Sequence, residues 1–558
     1  MAHEQPEPKP FPLPPHFPVD WSNPEDEKKA WMYDRSHAAA PITPMTGWVA
    51  ANPWTEGTAR GFKNAGQPIS LFCDRFNTYY FNSPHPTVPP EEMEEAGLHA
   101  EATLKALHPV FNDRWENEWL PRVMAHHEVW KSFDLEGASH AELLAHMDDS
   151  FERYADLWDI HFHVSVPVLV AISMFVDMYL DLFEGSSELD ALELLKVDHN
   201  LSLEVGYQLW DLAQKYKDTP SVANPIRTKS TNAAMSSFVG TVEVRQFLED
   251  LKALVNEYGR RADGVIELAS PSWTEDPTPA LTAIRENMAP NAKHPRANHD
   301  EQIKERDAVI AAAREKLANH PDDAKGAFEM FLAAGRSGSQ VQEDHNFWID
   351  QGGLHHVRQV LLALGDRLAA KGVIADRGDV FYLVPDTVRS GILDGGDFQQ
   401  QIADEKTEME KWAKISPPPF IGTDYGPPPD NPVGKAIGRF FGGPPSISEE
   451  ADLVTGTPVS AGVARGTARI IMNIQQGTRL KQGDILVAPT TAPPWTPLFG
   501  IAAAVVTDVG GALSHCGVVA REYGIPCVGG TVVATTKIPD GAMIEVDGTA
   551  GEVRILSS

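Results

Sequence analysis

The chain has 558 residues, 42% of them hydrophobic, and its 47 Lys+Arg against 78 Asp+Glu give a formal net charge of −31. At roughly 100–200 residues per domain this length implies several domains, and the apolar share excludes wholesale disorder. So acidic a surface repels phosphate backbones and anionic lipid, arguing against nucleic acid or membrane as partner; three cysteines (Cys73, Cys516, Cys527) exclude a disulfide framework and fit a reducing cytoplasm.

Residues 1–24 read as an extended, Pro-rich arm that lacks the basic start and apolar stretch of a signal peptide. From 25 to 412 the pattern is mainly helical. Ala141–Leu157, Leu192–Lys215, Val242–Tyr258, Asp300–Leu317 and His355–Ala370 carry apolar residues at three- and four-residue steps. The most apolar run, Ile160–Val176, contains His161, His163 and Pro167 and is short for a bilayer span, so it is expected to be a buried helix. Residues 413–453 hold three Pro/Gly clusters, Ser416–Pro419, Gly426–Pro429 and Gly442–Pro445, and read as a semi-stiff linker.

From 454 to 558 short β-type runs alternate with turns: Thr467–Met472, Ile485–Ala488, Ala503–Thr507 and Met543–Val546. This is the pattern of a compact α/β domain. It holds seven basic and seven acidic residues, so the −31 lies on residues 1–453.

The stretch Val505–Val528, VVTDVGGALSHCGVVAREYGIPCV, carries the chemistry. A buried strand ends at Thr507. Gly510 and Gly511 permit a tight turn with exposed N–H groups. Ser514 suits an N-cap, His515 opens a helix, Gly524 suits its C′ position and Pro526 prevents continuation. Free N–H groups and the helix dipole favour an anion there and disfavour an imidazolium. A neutral imidazole at that position can take up a phosphoryl group, on either ring nitrogen.

The same residues resemble the phosphohistidine (swivelling) domain of enzymes related to phosphoenolpyruvate synthase, pyruvate phosphate dikinase and rifampicin phosphotransferase. Their pattern, roughly T-x-x-GG-x-x-SH-x-AIVARE-x-GIP-x-V, is met by Thr507, Gly510, Gly511, Ser514, His515, Val519, Ala520, Arg521, Glu522, Gly524, Ile525, Pro526 and Val528. Gly483-Asp484-Ile485-Leu486-Val487, Pro494-Trp495-Thr496-Pro497-Leu498 and Val546-Asp547-Gly548 match the flanks. Departures are Ser460-Ala461-Gly462 for S-P-G, Ala492 for an Asp, and Cys516 after the histidine; Cys516 and Cys527 fit no zinc spacing and are read as packing. The resemblance implies that His515 carries a phosphoryl group, with Thr507, Gly510, Gly511, Ser514 and Arg521 as the phosphate-binding motif around it.

Such a histidine needs a donor, yet no G-x-x-x-x-G-K-[ST], no G-x-G-x-x-G and no repeated strand–helix pattern occurs in the helical part. That part more weakly resembles the acceptor region of rifampicin phosphotransferase-like proteins, through Pro41-Ile42-Thr43-Pro44-Met45, Glu343-Asp344-His345-Asn346-Phe347-Trp348-Ile349-Asp350, Arg358 and Gly378-Asp379-Val380-Phe381-Tyr382-Leu383. The domain subset is most similar to a phenylphosphate synthase-type subunit. This implies a multidomain protein with a mainly α-helical acceptor-binding domain and a C-terminal α/β swivelling domain. ATP and Mg²⁺ would sit on a separate ATP-grasp subunit, and His515 would pass the phosphoryl group to a small phenol, with AMP and phosphate as co-products. Alternatives are an antibiotic-type phosphotransferase and a non-catalytic phosphocarrier. No metal ligand set is expected on this chain. Read as helix, Glu343, Asn346 and Asp350 lie along one side. His345 is the expected base, with Asp344 or Glu343 orienting it or replacing it. Trp158, His161, Arg336, Trp348 and Arg358 are the expected acceptor-binding residues.

Overall fold

The structure, a computed structural model, describes residues 8–557 apart from 291, 293, 427–430 and 443–447. It divides into two compact units. The first comprises Met1–Val166, Gly264–Ser270 and Trp348–Pro429, the second Pro167–Asp263, Pro271–Phe347 and Asp430–Ser558.

The longest helices, in chain order, are α1 (His140–Leu182), α2 (Leu201–Tyr216), α3 (Val242–Tyr258), α4 (Pro295–Lys316), α5 (Asp322–His345) and α6 (Gly352–Ala370); α7 (Pro432–Phe441) and α8 (His515–Tyr523) follow. Helix α1 absorbs both Ala141–Leu157 and Ile160–Val176 with Pro167 inside it, so it is longer than the apolar run suggested. It is long and apolar enough to cross a membrane, yet 61% of its most apolar window is buried, as in a core helix. The expected helix Leu192–Lys215 is interrupted instead. Asn200 starts α2 by accepting a hydrogen bond from the Leu203 N–H at 2.8 Å, satisfying a donor that the helix cannot. A π turn, Asn346–Gln351, joins α5 to α6.

In the first unit, β1 (Lys9–Pro10), β2 (Ala30–Tyr33), β3 (Ile69–Phe76), β4 (Tyr79–Pro86) and β5 (Phe420–Asp424) form an antiparallel sheet in the order β1-β5-β2-β4-β3. The helical periodicity of residues 25–412 concealed it. Strands β3 and β4 are a hairpin turned by Asn77 and Thr78, both at positive φ (49° and 69°). Phe17, Trp31, Phe81, Trp412 and Ile421 pack together on this sheet, so part of the Pro-rich arm is anchored in a core. The stretch read as a linker contains β5 and α7; its residues 427–430 and 443–447 lie outside the described residues.

In the second unit, α2, α3 and the helix Thr278–Asn287 share an apolar core around Leu209, Phe247, Leu251 and Ile284. The C-terminal sheet has eight strands: β6 (Leu453–Thr455), β7 (Thr457–Ser460), β8 (Val463–Ile470), β9 (Ile485–Ala488), β10 (Ala504–Thr507), β11 (Cys527–Gly529), β12 (Met543–Asp547) and β13 (Glu552–Ser557). Their order is β6-β13-β12-β8-β9-β10-β11-β7. β8, β9, β10 and β11 run parallel, and β10 lies between β9 and β11 with all four of its residues buried. A largely helical chain that ends in an α/β domain is the architecture that the sequence predicts.

Candidate functional site

Strand β10 ends at Thr507, fully buried, and delivers the chain into the glycine turn. Gly510 sits at φ +111°, a backbone conformation that L side chains rarely adopt. Ser514 occupies the N-cap position with extended backbone, but its hydroxyl makes no cap. It donates to the Gly511 carbonyl at 2.7 Å and lies 3.1 Å from Cys516 Sγ. Helix α8 starts at His515, and Gly524 ends it in the left-handed conformation (φ 62°, ψ 37°).

The expected free N–H groups of the turn are partly occupied. Gly511 N–H donates to the Phe440 carbonyl at 2.8 Å and Leu513 N–H to that of Arg439 at 3.0 Å, both from the end of α7. Gln342 Nε2 donates to the Leu513 carbonyl at 2.7 Å. The guanidinium of Arg521 is buried and donates to the carbonyls of Val459 and Ala512, each at 2.8 Å. It holds the loop from beneath.

His515 is about one-tenth exposed. Its Nδ1 lies 3.1 and 3.2 Å from the two carboxylate oxygens of Glu343, and its Nε2 lies 3.4 Å from Thr496 Oγ1. The Phe499 ring stands edge-on, 6.1 Å away. Glu343 is 3% exposed and also accepts from Ser202 Oγ at 2.7 Å. Burial alone would push its carboxyl up. The His515 imidazole, hydrogen bonds from His515 and Ser202, and the charge of Arg261 outweigh it and hold the carboxyl below its ordinary value. Arg261 is fully buried and donates to the carbonyls of Pro493 and Leu201; burial pulls it down to about 10 against the attraction of Glu343. The Cys516 thiol is pulled down to about 6, first by its hydrogen bond with Cys527 and against the effect of burial. Both cysteines are buried and unbridged.

The remaining candidates fall in different surroundings. His345 is buried, and its ring Nδ1 is 2.9 Å from the Val341 carbonyl, so Nδ1–H donates. Asp344 accepts from Leu201 N–H at 2.8 Å, and burial pushes its carboxyl up to about 6. The π turn breaks the α-helical count across Glu343, Asn346 and Asp350, so a shared side is not what results. Glu343 engages His515, while Asp350 Oδ1 engages His161 Nδ1 at 2.7 Å. His161 also packs against Trp158, ring centroids 4.5 Å apart, and the buried Trp158 meets Trp54 at 4.7 Å. Trp348 offers its carbonyl to His127 Nε2 at 2.8 Å. Arg358 donates to the Leu268 carbonyl at 2.5 Å and stacks over Phe381, which is a packing role. Arg336 pairs at the surface with Asp198 at 2.7 Å. The motif Pro41-Ile42-Thr43-Pro44-Met45 starts a helix at Pro44 and binds the half-buried Glu267 through Thr43 N–H and Oγ1, each at 2.9 Å.

Residues 480–551 match the family described as "PEP-utilising enzyme, mobile domain", and residues 161–343 match "Rifampicin phosphotransferase fourth domain". Residues 480–551 carry a PEP-utilising mobile domain. That domain implies a phosphohistidine intermediate, and His515 is the histidine of the matched segment that stands at a helix start. Chondramide synthase cmdD of Chondromyces crocatus is 34% identical over 98% of this chain and 14% of its own length. The uncharacterized phosphotransferase YvkC and the rifampicin phosphotransferase of Bacillus subtilis (strain 168) are each 30% identical over 72% of this chain, and over 48% and 46% of their own lengths. The chain therefore spans about half the length of these two phosphotransferase relatives.

Sequence reasoning left several members of the mobile-domain site unassigned: Thr496, Phe499, Ser202, Arg261 and the α7 carbonyls. Thr496 alone had a signal, lying in the Trp495-Thr496-Pro497-Leu498 run. Phe499 follows that run directly, whereas Ser202 and Arg261 act beside Glu343 and the α7 carbonyls on the glycine turn, all from positions distant in sequence.

Proposed function

We propose that this chain is the carrier and acceptor part of a phosphotransferase. His515 takes a phosphoryl group that originates on ATP, bound with Mg²⁺ on a separate ATP-grasp subunit, and passes it to the hydroxyl of a small phenolic acceptor. The carrying observation is the orientation of His515. With Nδ1–H donating to the Glu343 carboxylate, the lone pair on Nε2 is the nucleophile, and it faces Thr496 Oγ1.

In the first step Nε2 attacks the donor's phosphorus; a P–N bond forms as the donor's P–O bond breaks and its oxygen leaves with the electron pair. In the second, the acceptor oxygen attacks the same phosphorus and gives its proton to a base. The P–N bond then breaks and returns its pair to Nε2. Overall, ATP, water and the phenol yield AMP, phosphate and an aryl phosphate, with the water cleaving the second phosphoanhydride bond on the ATP-grasp subunit. His345 is the proposed base, its ring oriented by the Nδ1–H hydrogen bond to the Val341 carbonyl. Asp344, pushed up to about 6, is the second candidate. Trp158 and His161 are the proposed acceptor contacts, a ring face beside a polar edge.

The names of relatives such as the rifampicin phosphotransferase of Bacillus subtilis equally favour an antibiotic acceptor. The test joins the chain to the ATP-grasp partner with ATP, Mg²⁺, a panel of phenols and rifampicin. Aryl phosphate with matching AMP release supports the phenol reading, and rifampicin phosphate supports the other. Unchanged turnover in His515→Ala would end both.

A further inference from the structure

The turn that precedes His515 is held from outside its own domain sequence. Helix α7 ends with two carbonyls aimed into it: Phe440 accepts from Gly511 N–H at 2.8 Å and Arg439 from Leu513 N–H at 3.0 Å. The approach is close enough to demand glycine, since a Cβ at Gly511 would lie 2.3 Å from the Arg439 carbonyl oxygen. These N–H groups belong to the anion-favouring turn, so α7 fills part of what a phosphoryl group would use.

Helix α7 is itself held by charge. The Arg439 guanidinium donates to Asp177 Oδ1 at 2.6 Å, to Glu188 Oε1 at 2.8 and 2.9 Å, and to the Ser173 carbonyl at 3.1 Å and its hydroxyl. Lys435 pairs with Asp177 at 3.2 Å. Apolar anchoring is partial: Ala436 is buried, and Val433, Phe440 and Phe441 are half-buried. A cavity of about 380 Å³ lies beside the helix, lined by Asp177, Glu188, Lys435, Arg439, Gly511 and Ala512 among others. A helix held largely by partly exposed ion pairs and backbone hydrogen bonds belongs to the low-stability end of local openings and is weakened by salt.

We propose that α7 is a releasable latch and Arg439 its positioning residue. Closed, it holds the Gly510–Ser514 turn, and through it His515, against Glu343. Released, it frees the Gly511 and Leu513 N–H groups to meet a phosphoryl group and lets the turn move. What the latch regulates rests on the proposed carrier role, whereas the contact itself does not.

The experiment is amide hydrogen exchange of the full chain across 509–516, together with His515 phosphorylation by potassium phosphoramidate. That reagent donates a phosphoryl group with ammonia leaving and needs no partner subunit. In Arg439→Met, exchange at Gly511 and Leu513 is expected to rise about tenfold while Val518 and Ala520 in α8 are unchanged, and phosphoramidate labelling is expected to speed up several-fold. Arg439→Lys, which cannot fork onto two carboxylates, falls between. Asp177→Asn with Glu188→Gln acts in the same direction with Arg439 in place, which covers failure of the first variant to fold. Raising NaCl should accelerate the wild type and not Arg439→Met. Unchanged exchange at both amides in both variants, or acceleration spread evenly through the domain, overturns the latch. If the amides respond but His515 takes no phosphoryl group in any form, the carrier reading fails and the latch stands.

Discussion

Glu343 holds His515: the carboxylate, buried on α5, lies 3.1 Å from the Nδ1 of a histidine at the first position of α8. The carboxylate accepts the Nδ1–H hydrogen bond and thereby favours the tautomer with a nucleophilic Nε2. Glu343→Gln retains an acceptor oxygen but removes the charge that favours this orientation. Phosphoryl transfer through His515 should fall about 10²-fold in kcat with little change in acceptor KM. Equal kcat in wild type and Glu343→Gln, followed by product release in a coupled assay, would show that the contact is only structural.

Arg521 should be read as part of the scaffold. Its guanidinium is buried under the turn and satisfies the carbonyls of Val459 and Ala512. Arg521→Met leaves both carbonyls without that donor and should destabilise the C-terminal domain by about 2–4 kcal/mol. Loss of phosphoryl uptake in this variant without any drop in its denaturation midpoint would instead assign Arg521 to the phosphate.

The mobile domain was largely legible because its signals are local. Strand β9, helix α8 and the stop at Gly524 follow from short apolar runs, a glycine and a proline within a few residues of each other. The sheet of the first unit was hidden because its strands come from residues 9–86 and 420–424, and long-range pairing leaves no periodic trace. The hairpin β3–β4 was readable in hindsight, with β-forming runs on both sides of Asn77-Thr78. The site was half legible. His515 and Glu343 were named separately, but nothing in the sequence joins positions 172 residues apart. Nor does it say that α7 would occupy the N–H groups that composition left free. The π turn is a further instance: α-helical counting grouped Glu343 with Asp350, and one altered turn gave them separate partners.

His161 and Asp350 form a dyad beside Trp158, with Nδ1 and Oδ1 2.7 Å apart. On the proposed function, His161→Gln leaves His515 phosphorylation intact and raises acceptor KM at least tenfold. Asp350→Asn, which keeps the hydrogen bond but not the charge, falls between. The two half-reactions separate by ³¹P NMR of the phosphorylated protein before and after acceptor addition. A variant that loses the first half-reaction would remove this assignment.

Asp344 supplies a pH-dependent stability of defined sign. Burial pushes its carboxyl from an ordinary 3.8 up to about 6, so the folded protein binds its proton more tightly than the unfolded chain. The contribution is fully present below pH 3.8 and is lost as pH rises through about 6. The ceiling is about 3 kcal/mol from roughly two pKa units, lowered by the group's partial exposure to solvent. Glu343 has the opposite sign, stabilising above its ordinary 4.5 and losing that as pH falls, so the comparison belongs above pH 4.5. Asp344→Asn keeps an acceptor for the Leu201 N–H and removes the ionisation. Its denaturation midpoint should exceed that of the wild type at pH 8, with the gap closing toward pH 5. A gap that stays constant across that range would mean that the carboxyl titrates as an ordinary exposed group.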